Sequence, residues 1–173
     1  IDLKKKKVDI LINLSASPYT FKKLELRSKV SSFAAQYLQV PLIYVNQIGA
    51  NDNLIFDGSS FILDKNGSKI KQLKSFSEEL SSWEIDQTKP EKNKFENSEM
   101  SSIFDALVLG VKDYAKKCGF KTALIGLSGG IDSALVSAIA TAALGSDNIY
   151  CVSMPSKWSS SHSKSDAKDL ARR

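Results

Sequence analysis

The stretch Ala123-Leu-Ile-Gly-Leu-Ser-Gly-Gly-Ile-Asp-Ser133, running on into Ala134–Leu144, decides the fold. Ala123–Leu127 is a short apolar run and reads as a buried parallel strand. A tight Ser/Gly turn follows, then an Ala-rich helix over 133–144 that Gly145 can close. This order of strand, Gly-rich turn and helix N-terminus is suited to holding a phosphate. The N–H groups of the first helical turn lack intrahelical partners, and the helix dipole adds partial positive charge there.

Two common phosphate loops fail on the residues present. The Walker A pattern needs Gly-Lys-Ser/Thr after the turn, but Gly129-Gly130 is followed by Ile131-Asp132. The dinucleotide pattern needs G-x-G-x-x-G, and positions 128 and 131 are Ser and Ile. Ser128-Gly-Gly-Ile-Asp-Ser133 instead resembles the SGGxDS loop of ATP pyrophosphatases, the PP-loop of adenylating synthetases. Gly129 and Gly130 let backbone approach phosphate. Ser128 and Ser133 can add hydroxyl donors. Asp132 would repel a phosphate, so it makes sense with Mg²⁺ between them. Five specified positions in six arise by chance on the order of 10⁻⁴ times in a chain of this length. An ordinary helix cap after a Gly turn needs one Ser or Asp and leaves the other residues unexplained.

The 173 residues are 42% hydrophobic and 25% charged, which suits one large or two small globular domains. The net charge of +5 fits a protein that handles anionic nucleotides and calls for no nucleic-acid partner. Lys4–Lys7 reads as a solvated element end. Cys118 and Cys151 stand alone, without CxxC, and point to a reducing, cytoplasmic setting. Both read as structural, one on a helix face and one in a strand. The single histidine, His162, excludes a multi-His metal site. Val8–Leu14 is broken by Asp9 and Asn13 and is no signal sequence, and no apolar run approaches 18 residues. The chain opens on Ile1 and stops at Arg173 inside a helical pattern, so we expect an internal piece of a longer protein.

Working outward, Val8–Leu14 reads as a buried strand and Ser15–Tyr19 as the loop at its end. Leu24–Leu38 carries apolar residues at 26, 30, 33, 34, 37 and 38, a helical spacing. Pro41–Val45 reads as a second buried strand and Asn46–Asn53 as a polar loop. Leu54–Leu63 and Lys69–Leu73 read as strands around the Asn66-Gly67 turn. The polar stretch Ser75–Asn97 contains Pro90, and 86–98 reads as an interdomain linker, with Trp83 packed on a neighbouring surface. A helix capped by Ser98 or Ser101 carries Ile103, Leu107, Val111, Tyr114 and Cys118 on one face and closes at Gly119. Beyond the phosphate loop, Ile149–Met154 is a strand, Pro155–Ser160 its loop, and Ser163-x-x-Asp166 the capping box of a last helix. Strand-helix-strand-helix argues for a doubly wound parallel sheet with ligands at the strand C-terminal ends.

Both halves resemble known families. Gly126–Ala134, Met154-Pro-Ser-x-x-Ser-Ser160 and Ser163-x-x-Asp166-Ala167 are similar to the NAD synthetase type of PP-loop enzyme. Leu14-Ser-Ala-Ser-Pro-Tyr19, Lys23, Val45-Asn-Gln-Ile-Gly49 and Phe56-Asp-Gly-Ser-Ser60 resemble the end of a nitrilase-like glutaminase domain. In this order they resemble the glutamine-dependent NAD synthetases. The resemblance implies an α/β chain. A truncated nitrilase-like α/β sandwich over 1–85 and a linker over 86–98 precede the first half of a PP-loop (adenine nucleotide alpha hydrolase-like) domain over 99–173. It implies ATP and Mg²⁺ as cofactors, and adenylation then amidation of deamido-NAD with ammonia from glutamine. ATP would lie on Gly126, Leu127, Ser128, Gly129, Gly130, Ile131, Asp132 and Ser133, with Asp132 on the metal. Glutamine would lie on Ser17 and Lys23, whose bland readings are a strand-ending turn and a surface lysine. The Glu-Lys-Cys triad of the glutaminase would fall before Ile1, leaving no catalytic residue in this chain and an inactive fragment. The full-length enzyme would be a homo-oligomer with no membrane partner. The rivals are another PP-loop adenylating amidotransferase or tRNA-modifying adenylating enzyme, and a non-catalytic ATP-binding fragment. A bare carbon–nitrogen hydrolase leaves 123–160 unexplained.

Overall fold

A computed structural model describes residues 3–85, 89–90 and 98–172. Most of the expected linker, 86–88 and 91–97, lies outside the described residues. The chain divides into two compact units, Ile1–Ala106 and Leu107–Arg173. No helix of the described residues is long and apolar enough to cross a membrane.

The first unit is built on a β–α–β crossover. Strand β1 (Leu11–Ser15) leads through helix α1 (Lys23–Leu38) to β2 (Leu42–Asn46), and β1 pairs parallel with β2 from Leu11↔Leu42 to Ser15↔Asn46. Strands β5 (Phe61–Leu63) and β6 (Lys69–Gln72) continue this sheet antiparallel, in the order β1-β2-β5-β6. Tyr44 and Phe61 face each other across β2 and β5 with ring centroids 4.9 Å apart, a cross-strand aromatic pair. With Ala35, Leu42 and Leu63 they form the buried core.

Several expectations change here. Asn46–Asn53 is not a loop: β3 (Ile48–Asn51) and β4 (Leu54–Asp57) make a separate antiparallel ribbon. Its tip turns at Asp52, whose φ of 50° suits an Asp. The run 54–63 is therefore two strands in two sheets, broken at Gly58 and Ser59, both at positive φ. The first strand is shorter than expected and is not buried. It is an edge strand, and Ile12 and Leu14 are 56% and 77% exposed.

Helix α1 forms over the expected stretch and buries a largely polar stripe. Its buried residues are Arg27, Ser31 and Ala35, whereas Leu26, Val30, Phe33 and Tyr37 are exposed. The inner face is kept by polar groups with partners on the sheet side. The Ser32 hydroxyl donates to Gly67 O at 2.9 Å, and the Gln36 amide donates to Asn66 O at 2.8 Å. Those acceptors sit on the β5–β6 turn, which closes as expected. Asp64 Oδ1 accepts from the N–H groups of Asn66 and Ser68, at 2.9 and 2.8 Å. Gly67 has φ 76°, and a Cβ there would meet Ser32 O at 2.9 Å and Gln36 Nε2 at 3.0 Å. Left-handed strain and this collision together make Gly67→Ala cost about 2–3 kcal/mol, to be read as a lower midpoint in urea denaturation. An unchanged midpoint would show that the turn and α1 separate without loss.

Helix α2 (Glu99–Cys118) begins where Ser98 Oγ accepts from Ser101 N–H at 3.1 Å, an N-cap, and ends at Gly119 with φ 74°. The second unit repeats the crossover. Strand β7 (Ala123–Gly126), helix α3 (Ile131–Leu144) and β8 (Ile149–Val152) form a parallel pair, and α4 (Ser161–Arg172) follows. Only one face of β7 is covered. Ile125 is buried and Leu124 is 74% exposed, so the reading of a fully buried strand is corrected. Helix α3 starts at Ile131, two residues before the expected point. Helix α4 starts ahead of Ser163, because Ser160 is its cap and Ser160 Oγ accepts from Ser163 N–H at 3.1 Å. The capping box expected at Ser163 is therefore replaced by a simple N-cap at Ser160.

Candidate functional site

The phosphate loop forms where β7 hands over to α3. Leu127 N–H donates to Val152 O at 2.8 Å, so pairing with β8 continues one residue past β7, and the Leu127 side chain is buried. The chain then turns on two serines. Ser128 N–H donates to Ser133 Oγ at 3.3 Å, and Gly130 N–H donates to Ser128 Oγ at 3.2 Å. Ser133 Oγ donates to Gly130 O at 3.0 Å and lies 3.0 Å from Ser128 Oγ. The two hydroxyls, expected as phosphate donors, thus hold the loop in shape. The N–H groups of Gly129, Ile131, Asp132 and Ser133 have no partner among the described residues, and they lie at the start of α3, the end of a helix that favours an anion.

The two glycines have different jobs. Gly129 has φ 85°, and a Cβ on it would come within 2.9 Å of three backbone atoms of Ser163. It is required by close packing against the start of α4. Gly130 has φ −87°, and a Cβ there would meet only Ser128 Oγ, at 3.4 Å. The sequence pattern alone does not separate them.

Two cavities of the second unit flank the loop. One of about 430 Å³ is lined by Gly129, Gly130, Ile131, Ala134, Asp166 and Asp169, among others. A smaller one of about 100 Å³ is lined by Ser128, Met154, Ser159, Ser163 and Lys164, among others. Asp169 and Lys164 were not singled out by sequence, and Asp166 lay inside the quoted Ser163-x-x-Asp166-Ala167 motif without a role at the loop. Among the described residues no three His, Cys, Asp or Glu side chains cluster as a metal site. Asp132 is exposed in the first turn of α3 beside the unpaired N–H groups. A lone carboxylate in that place fits Mg²⁺, which takes one or two carboxylates and fills its shell from phosphate oxygens and water.

In the first unit, Ser17 follows the end of β1. Ser17 N–H donates to Asn46 Oδ1 at 2.8 Å, and Asn46 Nδ2 donates back to Ser17 O at 3.1 Å. Asn46 is the last residue of β2, opposite Ser15. Arg27 and Asp57, both buried, stand beneath this loop. Lys23 opens α1 and lines a cavity of about 190 Å³ with Tyr19, Lys22, Asp57, Ser59 and Phe76, among others. Ser17 is not among the residues that line it. Burial, with the Asp57 and Glu99 carboxylates adding, pushes the Tyr19 phenol up. Sequence reasoning missed Arg27, and Asn46 lay inside the quoted Val45–Gly49 motif without a role. Asp57 lay inside a quoted motif without a role. Cys118 and Cys151 are exposed free thiols.

Comparison with known proteins follows the same division. The carbon–nitrogen hydrolase family model matches residues 1–91, and the NAD synthase model matches 103–173. A glutamine-dependent NAD(+) synthetase from Synechocystis sp. is 46% identical over 177 residues, covering 99% of this chain and 32% of that protein. The one from Rhodobacter capsulatus is 39% identical over 171 residues, covering 95% and 31%. The structure of glutamine-dependent NAD+ synthetase from Acinetobacter baumannii in complex with ADP superposes with TM-score 0.92 at 38% identity, over 99% of this chain and 33% of that one. The chain thus spans about a third of the length of the curated relatives it matches. A hydrolase-type β–α–β unit, then a phosphate loop on a second crossover, and relatives that align across both lead to one assignment. The chain belongs to the carbon–nitrogen hydrolase family through residues 1–91 and, with the NAD synthase segment that follows, to the glutamine-dependent NAD(+) synthetases.

Proposed function

We propose that the full-length protein carrying this chain makes NAD from deamido-NAD, ATP and glutamine, with residues 1–85 in its glutaminase domain and 99–173 in its synthetase domain. The observation that carries this reading is the set of unpaired N–H groups at 129 and 131–133, in one chain with a hydrolase-type unit.

A carboxylate resists attack by ammonia because its oxygens leave poorly. In the proposed reaction the deamido-NAD carboxylate oxygen attacks the α-phosphorus of ATP and pyrophosphate leaves. Ammonia then adds to the activated carbonyl, and AMP departs with the C–O bond that breaks. The Ser128–Ser133 loop supports the pyrophosphate half of ATP, since its unpartnered N–H groups lie at a helix N-terminus, which favours an anion. Asp132 would hold Mg²⁺, which supplies neutralisation of the charge developing on that group. Ser17 offers a hydroxyl and Lys23 an ammonium to the polar groups of glutamine. Glutamine hydrolysis to glutamate supplies the ammonia.

The test is NAD formation by the full-length protein from deamido-NAD, ATP and Mg²⁺, with glutamine or ammonia as donor. AMP and pyrophosphate should appear in step with NAD. ATP cleavage without NAD would retain the adenylating loop and reject this product, and ATP binding without cleavage would favour a non-catalytic role. Asp132→Asn keeps one oxygen ligand but loses the charge, so both donors should slow by the same factor, about tenfold. A loss with glutamine alone would remove Asp132 from the nucleotide site.

A further inference from the structure

Arg27 uses all of its N–H groups inside the first unit. Nη1 donates to both Asp57 oxygens, at 2.8 and 3.0 Å. Nη2 donates to Ser17 O at 3.0 Å and Pro18 O at 3.1 Å. Nε donates to Ser17 Oγ at 3.1 Å. A guanidinium has five donors, and these are five acceptors. The two charged side chains are only 5% and 4% exposed. Asp57 is held in turn, since Ser59 Oγ donates to its Oδ2 at 2.8 Å.

A buried ion pair is weak evidence for stability, because desolvation offsets most of the attraction. What this one does locally is specific. Three of the five bonds end on Ser17 and Pro18, a segment without regular secondary structure. Nε occupies one lone pair of Ser17 Oγ, and the hydroxyl proton has no acceptor among the described residues. That combination presents Ser17 as a hydrogen-bond donor, next to a cation that increases its pull on an acceptor.

We propose that Arg27 is a positioning residue of the glutamine site, clamping Ser17 and Pro18 through its fork to Asp57 and leaving the Ser17 hydroxyl proton for the substrate. The inference rests on the reading of Ser17 as a glutamine contact. Lysine keeps the charge but has a single point of attachment and cannot bridge a carboxylate, two carbonyls and a hydroxyl at once.

The experiment uses the full-length protein and compares wild type with Arg27→Lys. The ammonia-dependent rate serves as the internal measure of folded enzyme. Arg27→Lys should raise the KM for glutamine about tenfold while kcat stays within about twofold, the signature of lost binding with the chemistry intact. A folded Arg27→Lys variant with a glutamine KM within twofold of wild type overturns the proposal, as does a fall confined to kcat. Should Arg27→Lys fail to fold, Ser59→Ala removes one bond from Asp57 and leaves the fork. Its glutamine KM should rise about threefold, and no rise overturns the proposal. Wild-type enzyme that draws on glutamine, with variants that match it, removes the positioning role alone. Wild-type enzyme that accepts ammonia and never glutamine removes the reading of Ser17 and the proposal with it.

Discussion

Gly129→Ala in the full-length protein should lower NAD formation about a hundredfold with either nitrogen donor. Two effects act at one atom. The φ of 85° costs a residue with a Cβ about 1–2 kcal/mol. The new Cβ would then lie within 2.9 Å of the Ser163 carbonyl oxygen, Cα and carbonyl carbon, all backbone at the start of α4. A flexible side chain could swing aside, but a helix end cannot. Relief must come from the loop, and moving it displaces the N–H groups that face the anion. A shift of about 1 Å in such a set can cost about a hundredfold in rate. ATP affinity measured by calorimetry should fall with the rate. Gly130→Ala is the control, because its φ is ordinary and its only near contact is at 3.4 Å. Equal damage from both substitutions would mean that backbone freedom, and not the Ser163 contact, sets the requirement.

Asp57→Ala should destabilise the first unit by about 3–5 kcal/mol, the usual cost of leaving one member of a buried ion pair alone. Arg27 would keep its bonds to Ser17 and Pro18 but lose both acceptors of Nη1. Asp57→Asn keeps the shape and one oxygen and should cost less, about 1–2 kcal/mol. Urea denaturation followed by Trp83 fluorescence, with Trp158 of the second unit replaced by Phe, reads the first unit. If Asp57→Ala unfolds with wild-type midpoint and slope, the fork contributes no stability and only its positioning role remains.

The phosphate loop was legible because its chemistry is local. Strand, two glycines, Asp and helix lie within a dozen residues, and each type is demanded by backbone geometry or charge. The β5–β6 hairpin was legible for the same reason, since Asn66-Gly67 announces its own turn. The ribbon β3–β4 was not. Its first strand carries Gly49 and Asn51 and lies next to Asp52 and Asn53, so composition favoured a loop, and only pairing with 54–57 makes it a strand. Helix α1 was legible as a helix, but periodicity gives a stripe and not which side meets the sheet. The inner positions Arg27 and Ser31 are polar and satisfied by partners far along the chain. Arg27 meets Asp57 across 30 residues, and no local pattern marks that pair. Ser163 was taken for a cap when Ser160 holds the role, a shift of three within a run of serines where every candidate has the right chemistry. The Ser/Gly turn between β7 and α3 thus declares itself in sequence, whereas the support beneath Ser17 exists only once the sheet has formed.

The Asn46–Ser17 pair of hydrogen bonds also bears on how the sheet avoids misalignment. Side chains alternate faces along a strand, so sliding β2 by one residue against β1 would turn the Asn46 amide to the opposite side. Ser17 would then lose both of its bonds to that amide, and Ser15 would no longer stand opposite Asn46. Parallel strands joined by a long helix have no tight turn to set their alignment. The polar clasp at the far end of β1 and β2 performs that duty, so a slipped sheet and a loop tied to Asn46 through Ser17 are mutually exclusive.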